Sequence, residues 1–409
     1  MSSSTIQTPA VTDDELRERF RPTFDRIAEG AVQREHERRL PFHEVQWLRE
    51  ARFGALRVPV EFGGFGATIR QLFDLLIDLL IDLAAAESNL PQALRVHWSF
   101  VEDQRLAGDG RARHWLAAAA DGTLVGNAIT EPGVGAADRY RTTLTRKGGD
   151  WVLDGIKYYS TGSLYADHIL VAADRDGERV SVLVDARQEG VEQTDDWDGF
   201  GQRLTASGTT TFTGVVVPED RILGPGYGAP GRTYATAYLQ LVQLAVLAGI
   251  ARRAEADAVD WVRARTRTFT HAVADLPRHD PLVQQVIGKL SAAAFGARAA
   301  VLAVADDLDV LLDAGADDPE LLDRAEASAA RAQSVVIGLV LDATAQLFEV
   351  GGASITSSEA ALDRHWRNAR TVAAHNPLIY KQQAVGAHVL NGDPLPYAWS
   401  AGRRPGVIA

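Results

Sequence analysis

Between Gln346 and Lys381 the chain places a Gly351-Gly352 pair, a run of short hydroxyl residues, and then Arg364, His365, Trp366, Arg367, Asn368, Arg370 and His375. The glycine pair ends an apolar helical run. Ala353, Ser354, Thr356, Ser357 and Ser358 after it offer hydroxyls and backbone N–H groups. A turn of that kind can hold an anionic group, because several N–H dipoles converge on one point. The large polar side chains that follow are denser than a helix covering a core requires, and they can close over a bound group. His375 carries an imidazole whose ordinary pKa, about 6.5, lets it take or return a proton near neutrality. A second imidazole, His97, stands in the helical stretch PQALRVHWSFVEDQRLA, where a histidine buried in the core is the plain alternative. The plain alternative for Arg364, Arg367 and Arg370 is that they tie their helix to a neighbouring subunit through acids.

Three kinds of segment must position these groups. Residues 1–11 are small and polar and read as a disordered tail, with no basic and apolar pattern of a signal peptide. Residues 12–122 read as a helical domain opened by Asp13-Asp14-Glu15, acids that suit a helix N-terminus. Within it Asp74, Asp78 and Asp82 share one helix face, which reads as a solvated stripe rather than a metal site. From 123 to 230 the period changes to that of strands. Lys147-Gly148-Gly149-Asp150 and Arg175-Asp176-Gly177 are hairpin turns between them. Short turns with no helix-length insert predict antiparallel pairing in a small barrel or sandwich. From 231 to 409 the pattern is helical again. Arg232 to Arg267, Pro281 to Ala314 and Pro319 to Phe348 form long apolar repeats suited to a bundle.

Composition excludes several classes. The net charge of −12 is wrong for a nucleic-acid surface. There is no cysteine, hence no disulfide, thiolate nucleophile or cysteine metal site. No GxGxxG follows a strand and no GxxxxGK[ST] occurs, so neither a Rossmann nor a P-loop site is indicated. The longest apolar run, Tyr238 to Ala251, is broken by Gln240 and Gln243 and is too short to span a bilayer. The expectation is a soluble, cytoplasmic protein that touches neither nucleic acid nor membrane.

Six words occur in order along the chain: RVPVEFGGFGA, ITEPGVGAAD, WVLDGIKYYSTGS, VVVPEDRILG, DPLVQQVIGKL and QLFEVGGAS. Together they resemble the acyl-CoA dehydrogenase superfamily over nearly the whole length. The resemblance implies an α+β fold: an N-terminal helical domain, a central antiparallel β-barrel or sandwich, and a C-terminal four-helix bundle, usually in a homotetramer. It implies flavin contacts from Asn127, Ile129, Thr130 and Gly135 in the ITEP segment and from Ser160 and Thr161 in the following strand. Gly351, Gly352 and Ser354, with Arg267, correspond to residues that a neighbouring subunit offers to the phosphate side of the flavin. An acyl-CoA dehydrogenase also needs a carboxylate base beside the flavin. The family places it either in the loop here reading Thr371 to His375 or near Tyr238 to Leu241, and neither segment holds an acid. From Arg221 to Ala254 there is no Asp or Glu, and from Arg364 onward the only one is Asp393. A dehydrogenase or oxidase with FAD and a displaced base, and a non-catalytic relative, are the rival readings.

A second set of words resembles the two-component flavin monooxygenases on this fold: STGSLYAD, GFGQRLTASGT, GGASITSSEAALDRHWRNART and AHNPLIYKQQAVG. That group includes dibenzothiophene monooxygenases, alkylsulfone and methanesulfinate enzymes, and amine N-hydroxylases. The resemblance implies reduced FMN supplied by a separate NADH-dependent flavin reductase, O₂ as co-substrate, and oxygen transfer through a C4a-hydroperoxide to sulfur, nitrogen or carbon. In that reading Ser160 and Asn127 hydrogen-bond the flavin's oxygenated side, and His375 replaces the dehydrogenase glutamate. His97 lines the substrate side, and His365 contacts either the flavin or only the fold. The sulfur-oxidising relatives carry a second histidine three residues before the first. Here that residue is Val372, and Asn376 stands where they have Asp.

Overall fold

The computed structural model describes residues 11–73, 79–132, 140–225 and 231–397. Residues 1–10 of the expected tail, Asp74, Asp78 and Gly135 lie outside the described residues. Among the described residues seven α-helices come first: α1 (Asp13–Glu29), α2 (Ala31–Glu37), α3 (Phe42–Glu50), α4 (Ile69–Phe73), α5 (Leu79–Ala86), α6 (Asn89–Ala107) and α7 (Gly110–Ala120). Local chemistry starts them. Thr12 and Glu15 cap α1 reciprocally, the Glu15 carboxylate accepting from Thr12 N at 2.8 Å. Asp109 caps α7 through Ala112 N at 2.7 Å. Phe20, Phe24, Phe53 and Trp98 pack edge to face beneath these helices.

The sheet follows: β1 (Val125–Ala128), β2 (Thr143–Lys147), β3 (Asp150–Lys157), β4 (His168–Arg175), β5 (Glu178–Asp185), β6 (Val191–Thr194), β7 (Thr209–Val217) and β8 (Ile222–Gly224). Its order is β6-β7-β3-β2-β4-β5-β8, with β1 also on β4. Both expected hairpins form. Gly148 and Gly149 turn β2 into β3, and Asp176 and Gly177 turn β4 into β5, all at positive φ. The barrel and the wholly antiparallel pairing are corrected. The described sheet is open, and β1 runs parallel to β4. The β2–β3 hairpin lies between them in sequence, and a connection of that length lets the chain re-enter in the same direction.

Three long helices follow: α8 (Ala235–Ala264), α9 (Pro281–Asp313) and α10 (Pro319–Gln346). Asp280-Pro281 and Asp318-Pro319 start the last two, each aspartate accepting from backbone N–H groups of the first turn. The bundle is completed by α11 (Asp363–Ala374), which packs on α8 and α10, while α12 (Leu378–Asn391) packs on α10. Gly249 lets α8 touch α5, since a Cβ there would lie 2.4 Å from that of Ala84. By length and composition α8, α9 and α10 could each cross a membrane, which the broken apolar run did not suggest. The apolar stretch of α8 is buried in the protein, whereas α9 and α10 leave much of theirs outside.

Candidate functional site

The chain just after β1 runs antiparallel to the chain around the end of β3. Asn127 N donates to Thr161 O at 3.3 Å, and Tyr158 N donates to Thr130 O at 2.8 Å. The Asn127 amide donates to Tyr159 O at 3.2 Å. Asn127, Ile129, Thr130, Ser160 and Thr161 are thereby brought together, as the sequence expectation required. A buried cation fixes the ladder. Lys157 Nζ donates to Ile129 O at 3.0 Å and to Glu131 Oε1 at 2.9 Å. Desolvation lowers the Lys157 pKa to about 8, partly offset by Glu131.

Strain gathers at the same place. Tyr159, Gln202 and Ala206 hold φ of 58°, 52° and 50°, a conformation that costs a non-glycine residue about 1–3 kcal/mol. A hydroxyl chain joins the two strained loops: Thr161 Oγ1 to Ser207 Oγ at 2.8 Å, and Ser207 Oγ to Thr205 Oγ1 at 2.7 Å. Gly162 N donates to Thr205 O at 3.0 Å. Gly162 itself meets α6, where a Cβ would fall 2.0 Å from Ala93 O. Within this rigid frame Ser160 Oγ and Asn127 Oδ1 are buried and take no hydrogen bond from the protein. An unsatisfied buried polar atom costs about 1–3 kcal/mol, which a ligand carrying both donors and acceptors would recover. A flavin ring edge is such a ligand. The exposed Tyr159 ring, edge-on to Trp197 at 5.7 Å, adds an aromatic wall. The residues therefore fit the flavin implied by the sequence.

One turn beyond Ala93, on the same side of α6, His97 is wholly buried, its Nε2 3.0 Å from Gly54 O. A carbonyl only accepts, so Nε2 carries the proton and Nδ1 is left a buried acceptor without a protein partner. Burial, above all, pulls the pKa down to about 4. The fold therefore holds His97 neutral, and the unfolded chain binds its proton first as pH falls. The resulting stabilisation is complete above about pH 6.5 and is lost on going down towards pH 4. His97→Gln removes this linkage. The unfolding free energy of the wild type relative to the variant is expected to fall by about 1.4 kcal/mol per pH unit across that window. Urea unfolding at several pH values measures it, and parallel pH curves would exclude the role.

The polar residues of α11 serve mainly to anchor it. Arg364 and His365 both reach Asp257 of α8, at 2.6 and 2.8 Å. Burial and the neighbouring Arg364 pull His365 down to about 4, so it stays neutral and donates to the carboxylate. Of its two sequence readings, the structure places it with the fold. Arg367 binds Glu35 of α2 at 2.7 Å and Phe200 O at 2.9 Å. Asn368 Oδ1 accepts from Gln202 N at 2.6 Å, clamping one of the strained loops. Arg364 and Arg367 thus find their acids within the chain.

His375, at the C-terminal end of α11, has Nε2 3.2 Å from Nη2 of Arg95 on α6. The residue is exposed, and its pKa is pulled below the ordinary imidazole value by desolvation and then by the Arg95 charge, less than full burial would pull it. Its exposure leaves the ring open to a ligand. The Arg95 charge beside it favours the neutral ring. Residues 95 and 97 are about 200° apart around a helix axis, so His97 does not share a side of α6 with Arg95 and His375. Candidates that the sequence reading missed are Arg95, which touches His375, and Gln92, one turn before it on α6, both only slightly accessible. Their signal was a charge and an amide in an otherwise apolar helical stretch. Gln240 and Gln243 of α8, like Gln92, keep a buried amide atom without a protein partner.

Gly351, Gly352, Ser354 and Arg267 gather elsewhere. Ser354 Oγ accepts from Arg265 Nη1 at 2.7 Å, and Gly352, at φ +60°, lies against Phe269, whose ring a Cβ would meet at 2.7 Å. Trp261 backs Gly351, and Arg267 is exposed in the adjoining loop. The turn is therefore at the C-terminal end of α8. Gln243 is 18 residues earlier on that helix, about 27 Å away at 1.5 Å per residue. The turn and Gln243 thus sit towards opposite ends of α8.

Two family models match: acyl-CoA dehydrogenase, middle domain, over residues 126–215, and acyl-CoA dehydrogenase, C-terminal domain, over residues 241–378. A dibenzothiophene monooxygenase of Rhodococcus erythropolis is 30% identical over 406 residues, covering 93% of each chain. The chain belongs to the acyl-CoA dehydrogenase family, in its flavin monooxygenase branch. TdsC from Paenibacillus sp. A11-2, solved with FMN and indole, superposes with a TM-score of 0.85 at 28% identity, covering 94% of this chain and 99% of that one. Methanesulfinate monooxygenase MsuC from Pseudomonas fluorescens gives 0.83 at 27%, covering 96% and 99%. For a member of the acyl-CoA dehydrogenase family, the two sites expected to hold the base are distinctive. One offers His375 beside a cation, and the other offers Gln240 among apolar neighbours.

Proposed function

We propose that this chain is an FMNH₂-dependent monooxygenase that transfers one oxygen atom from a flavin C4a-hydroperoxide to a small organic substrate, with sulfur the first centre to test. The balance is substrate, O₂ and FMNH₂ giving oxygenated substrate, FMN and water. The observation that carries the reading is a flavin-fitting cradle at Ser160 and Asn127 combined with a neutral imidazole, and no carboxylate, at the family's base positions. Bound reduced FMN supplies the electrons and activates the oxygen. Asn127, Ile129, Thr130, Ser160 and Thr161 hold and orient the ring. The strained loops keep that cradle rigid, so water is excluded at little cost in reorganisation. His375 offers an N–H to the oxygenated group and does not remove a carbon-bound proton. The named relatives act on dibenzothiophene and methanesulfinate, which is why sulfur is placed ahead of nitrogen and carbon.

The reaction takes FMNH₂ from an NADH-dependent flavin reductase. The active form is a homotetramer in the cytoplasm. Supporting it are exposed apolar side chains on the bundle's outer faces, among them Leu282 and Phe295 of α9, Val335 of α10, and Ile379, Val389 and Leu390 of α12. In such an assembly Gly351, Gly352, Ser354 and Arg267 meet the phosphate side of a neighbour's flavin. The test supplies the purified protein with FMN, NADH, a flavin reductase and an organosulfur panel. Sulfoxide, sulfone or sulfonate formation dependent on the reductase is expected. Stoichiometric tightly held FAD that bleaches with an acyl-CoA would replace this reading by the dehydrogenase one.

A further inference from the structure

We infer that Arg95 is a positioning residue that fixes His375 as the Nδ1–H tautomer, so that the exposed imidazole works as a hydrogen-bond donor to a ligand and not as a base. The inference rests on the monooxygenase reading for its catalytic consequence, but the geometry stands alone. A guanidinium has donors only. Its Nη2 is 3.2 Å from His375 Nε2, so that nitrogen must present its lone pair to Arg95. A neutral ring has one proton, and it must then sit on Nδ1. Arg95 is itself buried and held by α6, so its charge cannot swing into water. It is the charged group acting on the ring, and it resists imidazolium formation. Both effects push the same way: Nε2 is occupied, a second ring proton is disfavoured, and Nδ1–H is left for a ligand. A donor of this kind stabilises an oxygen that carries developing negative charge without itself gaining a proton. The sequence pattern of one histidine where relatives have two is consistent with that simpler duty.

The tautomer is read directly from ring ¹⁵N chemical shifts of ¹⁵N-histidine-labelled protein by solid-state NMR, with His375 assigned by loss of its signals in His375→Gln. The wild type is expected to show a protonated Nδ1 and an unprotonated Nε2 at pH 7, unchanged down to pH 5. In Arg95→Met the ring is expected to populate the Nε2–H form and to titrate above pH 5. Arg95→Lys, which keeps a cationic donor, is expected to restore the wild-type pattern. With a reductase present, Arg95→Met should lose coupled oxygenation about tenfold, with peroxide release rising to match, and Arg95→Lys should recover most of it. A wild-type Nε2–H ring, or the same tautomer and titration in Arg95→Met, overturns the inference even if oxygenation is confirmed. If no substrate is oxygenated but the ¹⁵N pattern holds, the functional reading fails and the positioning role of Arg95 stands.

Discussion

Replacing His375 by alanine is expected to lower coupled oxygenation on the order of a hundredfold while oxygen consumption driven by NADH continues and ends as H₂O₂. The size is that of one preorganised hydrogen-bond donor removed from a site where charge develops. His375 meets the conditions for such a donor. It is placed by α11, whose polar face is locked to α8 through Asp257 and to the strained loop through Asn368. It is held neutral by desolvation and by Arg95. It is exposed, so a ligand can reach it. Its loss leaves the flavin cradle at Ser160 and Asn127 intact, so flavin binding and oxygen uptake persist. Product measured by chromatography against peroxide measured with catalase separates the two fates. His375→Gln, which keeps an N–H, should fall between alanine and wild type. An unchanged product-to-peroxide ratio in the alanine variant would remove His375 from the mechanism.

Lys157→Met should cost about 3–5 kcal/mol of stability, together with a loss of flavin affinity. Lys157 is completely buried, and its ammonium is the partner of Ile129 O and of the Glu131 carboxylate. It also lies 4.0 Å from the centre of the Tyr140 ring. Glu131 accepts in addition from Arg141 N and Thr142 N, both at 2.8 Å. Removing the cation leaves a largely buried carboxylate with those two backbone donors and the exposed Arg141 guanidinium 3.9 Å away, and breaking one half of a buried pair costs more than the pair contributes. The strand continuation from Asn127 to Glu131 is the part of the cradle that Lys157 holds. Both readouts should therefore move together. The double variant Lys157→Met with Glu131→Gln should lose less than Lys157→Met alone, because no unpaired charge remains. Equal losses in the two variants, measured by denaturant unfolding, would sink the account.

Much of the architecture was legible because it is written in local chemistry. The Asp-Pro starts of α9 and α10 and the Gly-Gly and Asp-Gly hairpin turns are decided by residues within a few positions of each other. The parallel placement of β1 beside β4 was not legible, because it depends on which strand edge is free once the hairpin between them has formed.

The site divides along the same line. By itself the sequence determined which residue types are present and absent: a serine and an asparagine on neighbouring segments, a histidine, and no acid at either expected base position. It also carried the family words, because those depend on the order of residues alone. Only the tertiary structure decided what each group does. It turned Arg364 and His365 from lid candidates into anchors by bringing Asp257 to them across α8. It set His97 against Gly54 and His375 against Arg95, on different sides of one helix. It set Gly351, Gly352 and Ser354 at the far end of α8 from Gln243, against Trp261 and Phe269. The physical reason is that a pKa, a tautomer and the partner of a charge are properties of surroundings. Those surroundings are assembled from residues far apart in sequence, 280 positions for Arg95 and His375 and 332 for Glu35 and Arg367.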